Sequence, residues 1–115
     1  MEQSGRTLGG HERIRRRTEF QRVYDEGARS AGRFMTVLVL ATGSRVSRLG
    51  VSVTRKLGNA VRRNRARRLV REVFRQNKPP AGYDVVIVPR PDLLDAEFTK
   101  LEADYRSILR RRLRP

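Results

Sequence analysis

A basic segment over residues 55–75 constrains the fold of this chain more than any other feature. It carries nine arginine or lysine side chains and one acid, Glu72, which gives 21 residues a net charge of +8. Apolar residues recur within it at the spacing of one helix face: Ala66, Leu69, Val70, Val73 and Phe74. The pattern predicts a surface helix that packs on a sheet through this stripe while Arg68, Arg71 and Arg75 point away.

The start of this predicted helix breaks the usual charge preference. Gly58 and Asn59 predict a turn and an N-cap, so Arg62, Arg63 and Arg65 fall in the first turns, where the helix dipole is already positive. That arrangement costs stability when no anion is present. Helix N-termini bind phosphate and arginine forks add donors, so we interpret the segment as a nucleic-acid surface. A solvated basic face is the alternative interpretation.

Composition favours one small domain that binds a polyanion. The chain has 115 residues, a net charge of +15 at pH 7, and 24 arginines among its 27 basic residues. A charge of this size is typical of nucleic-acid binders, although anionic membranes and acidic proteins attract it too. Arginine stacks on bases and forks onto phosphate, but a genome rich in G and C gives the same bias without any selection on binding.

Several classes of site and location are disfavoured. The chain has no cysteine, and its single histidine, His11, lies in a polar leader, so we expect no metal or other cofactor bound by the protein alone. No apolar run is long enough to span a bilayer, and residues 1–10 lack the apolar block of a secretory signal. We therefore expect a cytoplasmic protein without a membrane partner.

The remaining pattern predicts an α+β sandwich in a single domain. We expect a disordered polar leader over residues 1–12 and one RNA-binding domain over 13–115. The predicted order is helix, two or three strands, basic helix, strand, helix, with the helices packed on one sheet face. Apolar residues on both faces predict a central strand over 33–41, and a buried strand is predicted over 85–88.

Turn and cap residues suggest where the outer helices begin and end. Thr18, with Gln21 three residues later, predicts the start of the first helix, and Gly27 predicts its end. Asp95 is the predicted cap of the last helix. The apolar stripe of that helix comprises Phe98, Leu101, Tyr105 and Ile108.

One face of the sheet is predicted to be shallow and polar, because Gly50 and Ser52 alternate with the apolar residues of the strand around residue 50. Phe20 and Tyr24 on the first helix are expected to stand along its edge. A basic groove with stacking rings suits single-stranded nucleic acid. Two aromatic residues at helical spacing are also typical of an ordinary core, and the residue pattern leaves both interpretations open.

Residues 49–65, LGVSVTRKLGNAVRRNR, closely resemble the signature of the bacterial ribonuclease P protein component, whose hallmark is an Arg-Asn-Arg triplet after Gly-Asn-Ala-Val. Residues 17–24 with Gly27 resemble the family's first helix, and residues 84–90 resemble its last strand. Only about the first twelve residues and the C-terminal tail fall outside the resemblance.

The resemblance implies the accessory protein subunit of an endoribonuclease that removes the 5′ leader from precursor tRNA. A large catalytic RNA with bound magnesium would hydrolyse the phosphodiester, and this chain would supply no catalytic residue. The implied partners are that RNA and precursor tRNA, with no DNA. The family also implies a left-handed crossover between the parallel strands around the basic helix, an exception to the usual rule.

Two sets of candidate binding residues follow. The candidate catalytic-RNA face comprises Arg55, Lys56, Asn59, Arg62, Arg63, Asn64, Arg65, Arg67 and Arg68. The candidate leader cleft comprises Phe20, Tyr24, Phe34, Leu38, Ser52 and Arg90. Many family members carry an aromatic residue where this chain has Leu38, which cannot stack as a ring does. Phe34 is expected on the same strand face, where it would compensate.

Three other functions compete with this interpretation. A structural protein of the ribosome is also small, basic and free of cysteine, but the string GNAVRRNR argues against it. A nuclease acting alone needs a general base or clustered carboxylates that hold metal, whereas the acids here are mostly placed as cap and turn residues. Sequence-specific DNA binding is disfavoured because the basic helix offers few base-reading side chains besides arginine.

Overall fold

The computed structural model describes residues 9–113, which form one mixed sheet and three α-helices. The elements in chain order are α1 (Arg17–Glu26), β1 (Ala28–Ala31), β2 (Met35–Ala41), β3 (Arg48–Val51), α2 (Ala60–Gln76), β4 (Tyr83–Pro89) and α3 (Phe98–Arg112). Short 3-10 helices occur at Gly10–Glu12, Arg55–Leu57 and Pro91–Asp95. The predicted α+β class and element order are confirmed, with three strands before the basic helix.

The sheet has the strand order β1-β2-β4-β3. β1 pairs with β2 and β2 with β4 in antiparallel fashion, whereas β3 and β4 are parallel. Because parallel neighbours need a crossover connection, α2 is the element that links them. The left-handed sense of that crossover stays a prediction.

Helices cover both faces of the sheet. α2 and α3 pack on one face, where Val37, Val85 and Ile87 of the sheet meet Phe74 and Tyr105. α1 packs on the opposite face in a smaller core built from Ile14, Val23, Leu38 and Val86. The prediction that all helices share one face was wrong for α1. The physical reason is that β2 and β4 are apolar on both sides, so each side needs a cover.

The predicted start of α2 is confirmed. Gly58 has a φ of 114°, a conformation that glycine adopts without steric cost. Asn59 is the N-cap, and its side-chain oxygen accepts a hydrogen bond from the Arg62 N–H at 3.0 Å.

The other two helix starts differ from prediction. α1 begins at Arg17, after Arg16, whose N–H donates to the Glu19 carboxylate at 3.4 Å. α3 begins after Glu97, because the segment Pro91–Asp95 forms a separate 3-10 helix, so Asp95 caps no α-helix. Gly27 does end α1, and the predicted stripe of α3 is buried at Leu101, Tyr105 and Ile108.

The first described residues are already packed. Gly10–Glu12 forms a 3-10 turn, Glu12 pairs with Lys78, and the Ile14 N–H donates to the Leu49 carbonyl at 2.9 Å beside β3. Residues 1–8 of the predicted disordered leader lie outside the described residues, and the proposed domain boundary at residue 12 stays a prediction. No helix in the described part of the chain is long and apolar enough to cross a membrane.

Candidate nucleic-acid interface

An open groove of about 450 Å³ lies between α1, the end of β3 and α2. Its walls contain two aromatic residues, one serine, two valines and three arginines: the lining residues are Arg15, Arg17, Phe20, Tyr24, Val51, Ser52, Val53 and Arg67. We call this the aromatic groove. It brings together three of the six predicted leader residues, Phe20, Tyr24 and Ser52.

The position of the Phe20 ring depends on a glycine. A Cβ atom at Gly50 would lie 2.6 Å from Cε1 of Phe20, closer than carbon atoms pack, and 3.3 Å from Cβ of Ile14, a tight contact. Gly50 therefore lets the ring rest directly on the β3 backbone. Phe20 is partly buried against the α1-side core, whereas Tyr24 is 38% exposed. Phe20 is both a core residue and a groove wall, and Tyr24 is free to contact a ligand.

Leu38 does not line this groove. It is only 2% exposed and packs beneath α1 with Val23 and Val86. The expectation that it faces the cleft was therefore wrong, because α1 covers the middle of the sheet face on which Leu38 lies.

Phe34 lies on the opposite side of the sheet from the one predicted. It is buried in the core shared with α2 and α3, although simple alternation from Leu38 places it on the α1 side. β2 begins only at Met35, and the Asp104 carboxylate of α3 accepts hydrogen bonds from the N–H groups of Arg33 and Phe34 at 3.0 and 2.9 Å. This bend turns the Phe34 ring toward α3, so it cannot compensate for Leu38.

Arg90 is exposed just beyond β4 and does not belong to the aromatic groove. Its N–H donates to the Phe34 carbonyl at 2.9 Å, which ties this part of the chain to the start of β2. A contact between Arg90 and a leader nucleotide would therefore extend beyond the groove.

The nine candidates for the catalytic-RNA face lie on α2 and the turn that leads into it. Arg55 and Lys56 are exposed in the 3-10 turn, and Arg65 and Arg68 are exposed on α2. Arg65 and Arg68 border a shallow depression of about 340 Å³ with Leu69 and Glu72. These side chains give α2 a surface that is rich in free guanidinium groups near its N-terminal end.

Four of the candidates also make contacts within the protein. The Asn59 side chain caps α2, and Nε of Arg62 donates to the Leu57 carbonyl at 2.7 Å. Asn64 accepts a hydrogen bond from Nη1 of Arg67, also at 2.7 Å. These bonds hold the turn and the first helical turns in place, so the four residues support the basic surface as well as belonging to it.

Arg67 joins the two candidate surfaces. It lines the aromatic groove while projecting from α2, and Arg63, one turn earlier, lies on the same side of the helix and is partly buried. A strand of nucleic acid in the groove would therefore run directly beside α2.

Arg71 does not point away as predicted. It lines a pocket of about 240 Å³ with Arg13, Phe20 and Leu49. Burial lowers the pKa of the Arg71 guanidinium, and the nearby positive charges of Arg13 and Arg67 lower it further. Nε of Arg13 is buried without a hydrogen-bond partner among the described residues. The positive surface of α2 thus continues under the N-terminal segment.

Sequence reasoning missed several groove residues, including Arg15, Arg17 and the apolar Val51 and Val53. The basic run at residues 13–17, directly before the aromatic helix, was a usable signal for the two arginines. Over residues 9–113, no group of three histidine, aspartate or glutamate side chains is placed to hold a metal ion.

This arrangement is suited to binding a strand of nucleic acid. The rings offer faces on which bases stack, the arginines offer charge and donors to phosphates, and Ser52 offers a hydroxyl. The groove is open along its length, which suits an extended strand without a fixed sequence.

Comparison with known proteins points to one family. A family model described as Ribonuclease P matches residues 8–113. A curated relative from Clostridioides difficile (strain 630), named Ribonuclease P protein component, is 34% identical over 101 residues, which is 85% of this chain and 89% of that protein. A protein of the same name from Thermotoga maritima is 42% identical over 93 residues, 79% of each chain.

Solved structures show the same fold. The RNase P protein from Thermotoga maritima matches with a TM-score of 0.77 and 38% sequence identity, covering 87% of this chain and 96% of that chain. The Staphylococcus aureus RNase P protein matches with a TM-score of 0.75 and 31% identity, covering 86% and 93% of the two chains.

Proposed function

Because this chain belongs to the ribonuclease P protein family, we propose that it is the subunit that binds the catalytic RNA and the 5′ leader of precursor tRNA during tRNA 5′ maturation in the cytoplasm. A ribonuclease P protein component is part of an endoribonuclease complex with an RNA subunit. The finer assignment concerns which surface of this chain contacts which RNA.

The observation that carries the proposal is the aromatic groove itself. Phe20, Tyr24 and Ser52 lie in one open groove that also contains Arg67 of α2. A single strand that stacks on the rings places its phosphates beside Arg67 and the two other groove arginines, Arg15 and Arg17. Each stacked base contributes about 1–3 kcal/mol to the binding free energy. Mature tRNA lacks the leader, so the groove discriminates between precursor and product.

The catalytic RNA is assigned to the exposed basic surface of α2 and its preceding turn. Arg65 and Arg68 are exposed, and the first turn of α2 contains no acid that offsets the helix dipole. Phosphates of a structured RNA would supply the missing negative charge and release counterions on binding.

Hydrolysis is assigned to the RNA subunit with its magnesium ions. The carboxylates of this protein support the assignment of hydrolysis to the RNA, because several already form ion pairs with basic side chains and, over residues 9–113, are not grouped around a metal site. Glu19 and Asp84 pair with Arg48, Glu72 with Arg75, and Glu12 with Lys78. The protein acts by positioning the leader and by screening phosphate repulsion, so that magnesium sites fill at lower ion concentration.

The decisive experiment separates the RNA-free protein from the reconstituted complex. Full-length protein freed of RNA is expected to bind RNA without cleaving precursor tRNA, whereas the complex with the catalytic RNA cleaves it at low magnesium. Cleavage by the rigorously RNA-free protein would contradict the assignment. Sequencing the RNA that co-purifies with tagged protein distinguishes a catalytic RNA of a few hundred nucleotides from ribosomal RNA, which the structural-protein alternative requires.

A further inference from the structure

A three-membered ion network connects α1 to the sheet. The Arg48 guanidinium of β3 donates from Nε and Nη2 to the two carboxylate oxygens of Asp84 on β4, at 2.9 and 2.7 Å. Its remaining nitrogen, Nη1, donates to Oε2 of Glu19 on α1 at 3.0 Å. Asp84 is 5% exposed at its side chain, so the bidentate pair fixes the guanidinium plane before Glu19 binds it.

The network holds the N-terminal end of α1, where the Phe20 ring joins the smaller core. Val23 is the one fully buried residue of this helix. Near its C-terminal end, Gly27 allows close approach to the Val39 carbonyl, from which a Cβ at that position would be 3.1 Å away. Near the N-terminal end, apolar contact rests on the partly buried Phe20. Glu19 is the residue directly before that ring, and Arg48 lies two residues before Gly50, on which the ring rests.

We propose that the Glu19–Arg48 ion pair is a positioning contact that fixes the N-terminal end of α1 over β3 and thereby sets where Phe20 and Tyr24 present their rings to the leader. The proposal rests on the proposed function of the aromatic groove. Glu19 and Arg48 touch no reacting atoms, and they act through the rings.

The pair differs from an ordinary surface ion pair. Arg48 is held on two sides and is mostly buried, whereas Arg22 and Glu26, also on α1, are 58% exposed at both side chains and 3.6 Å apart. Exposed ion pairs of that kind contribute little to the stability of the fold. Because Asp84 already orders the Arg48 side chain, pairing with Glu19 costs conformational entropy for the glutamate alone.

Glu19→Gln isolates the ion pair from the other role of this residue. The Glu19 carboxylate also accepts the Arg16 N–H at the start of α1, and glutamine retains that capping bond. The Arg48–Asp84 pair remains in place, so no buried charge loses its partner. Glu26→Gln removes one charge from the same helix without touching the sheet and is the matched control.

Two measurements on the full-length protein test the proposal. The first is the nuclear Overhauser contact between the Phe20 ring and the Gly50 α-protons in the free protein. It should weaken in Glu19→Gln, and the Gly50 resonances should lose their ring-current shift. The second is the ratio of affinities of the reconstituted complex for precursor and mature tRNA. We expect it to fall roughly 3- to 10-fold, at the lower end of the effect of deleting one stacked ring, because the ring is displaced rather than removed. Glu26→Gln should change neither.

The outcomes distinguish a failure of the positioning role of Glu19 from a failure of leader binding in the aromatic groove. An unchanged contact between Phe20 and Gly50 in Glu19→Gln overturns the positioning role, whatever the affinities. A weakened contact with unchanged selectivity also overturns it if Tyr24→Ala does lower selectivity. If Tyr24→Ala leaves selectivity unchanged as well, the assignment of the aromatic groove to the leader is wrong. The weakened contact still supports Glu19 as the residue that positions the Phe20 ring.

Discussion

At the scale of single residues, Phe20 and Tyr24 differ in burial although they lie one helical turn apart on α1. Phe20 rests on Gly50 and joins the smaller core, whereas Tyr24 projects into the aromatic groove. Phe20 therefore contributes both to stability and to the groove wall, whereas Tyr24 contributes mainly to the groove wall. Substitution of Tyr24 tests the binding role most cleanly, because little packing is lost with its side chain.

Tyr24→Ala should weaken binding of precursor tRNA by about 1–3 kcal/mol, roughly 5- to 150-fold, because one stacking platform is lost. Mature tRNA should bind almost as before, and the melting temperature should change little. Equilibrium binding of both RNAs to the reconstituted complex, with circular dichroism as the folding control, measures these quantities. Equal losses for both RNAs would contradict a leader-specific role. Phe20→Ala should lower precursor affinity and stability together.

Leu38→Tyr should destabilise the protein without strengthening leader binding. The Leu38 side chain is enclosed by Val23 and Val86 beneath α1, so a larger polar ring overpacks the core at a cost of about 1–3 kcal/mol. Denaturant unfolding measures this loss. A fully stable variant with tighter precursor binding would show that the residue reaches the groove after all.

At the scale of secondary-structure elements, α2 begins with a neutral cap followed by arginines rather than acids. Asn59→Asp should keep the capping bond and place a negative charge at the positive end of the helix dipole. The free protein should become more stable by about 0.3–1 kcal/mol. Affinity for the catalytic RNA should fall, because a carboxylate now faces its phosphates. Thermal unfolding and RNA binding at fixed salt measure the two effects, and equal or tighter RNA binding would contradict the assigned interface.

The sequence predicted α2 almost completely, because its signals are local. Gly58 and Asn59 mark its start, and the stripe that includes Ala66, Val70 and Phe74 marks its buried face. β1 carried no comparable signal, since Ala28–Ala31 is short, mostly exposed and joined to β2 by backbone pairing.

Features that depend on distant contacts were not predictable from local pattern. The Phe34 ring leaves the alternation of β2 because Asp104, 70 residues later, binds its N–H. The burial of Leu38 follows from the docking of α1, and the pocket around Arg71 follows from the N-terminal segment. The prediction of the groove was therefore right for Phe20, Tyr24 and Ser52, and it was wrongly extended to Leu38 and Phe34.

At the scale of the whole molecule, the net charge of +15 predicts steep salt dependence of RNA binding. Arg65→Ala should lower the slope of log K against log salt by about one unit, because one phosphate contact is lost. Arg45→Ala is the matched control and should leave the slope nearly unchanged. Arg45 is exposed in the loop after β2, at the opposite end of β3 from Ser52. Equal slopes for Arg65→Ala and the wild type would place Arg65 outside the interface.

Stability should also fall in acid. The pKa of Glu19 lies below its ordinary value of 4.5, mainly because Arg48 donates to it, and the pKa of Glu72 is lowered mainly by Arg75. Carboxyl groups with depressed native pKa values stabilise the fold above their unfolded pKa, and this contribution is lost as pH falls through the native pKa. Unfolding curves should therefore show a decline below about pH 4.5, smaller in Glu19→Gln. An identical decline in that variant would contradict the contribution of its ion pair.

The strand order has a consequence for the nascent chain. β4 is the last strand synthesised, yet it lies between β2 and β3. Within residues 9–113, β3 pairs with β4 and with a single bridge at Arg13. The ribosome therefore releases β3 and all of α2 before the strand that joins them to the rest of the sheet exists. A message truncated ahead of codon 83 encodes α2 but not β4. The partial translation product would therefore carry the arginines of α2 without the complete sheet on which this helix packs.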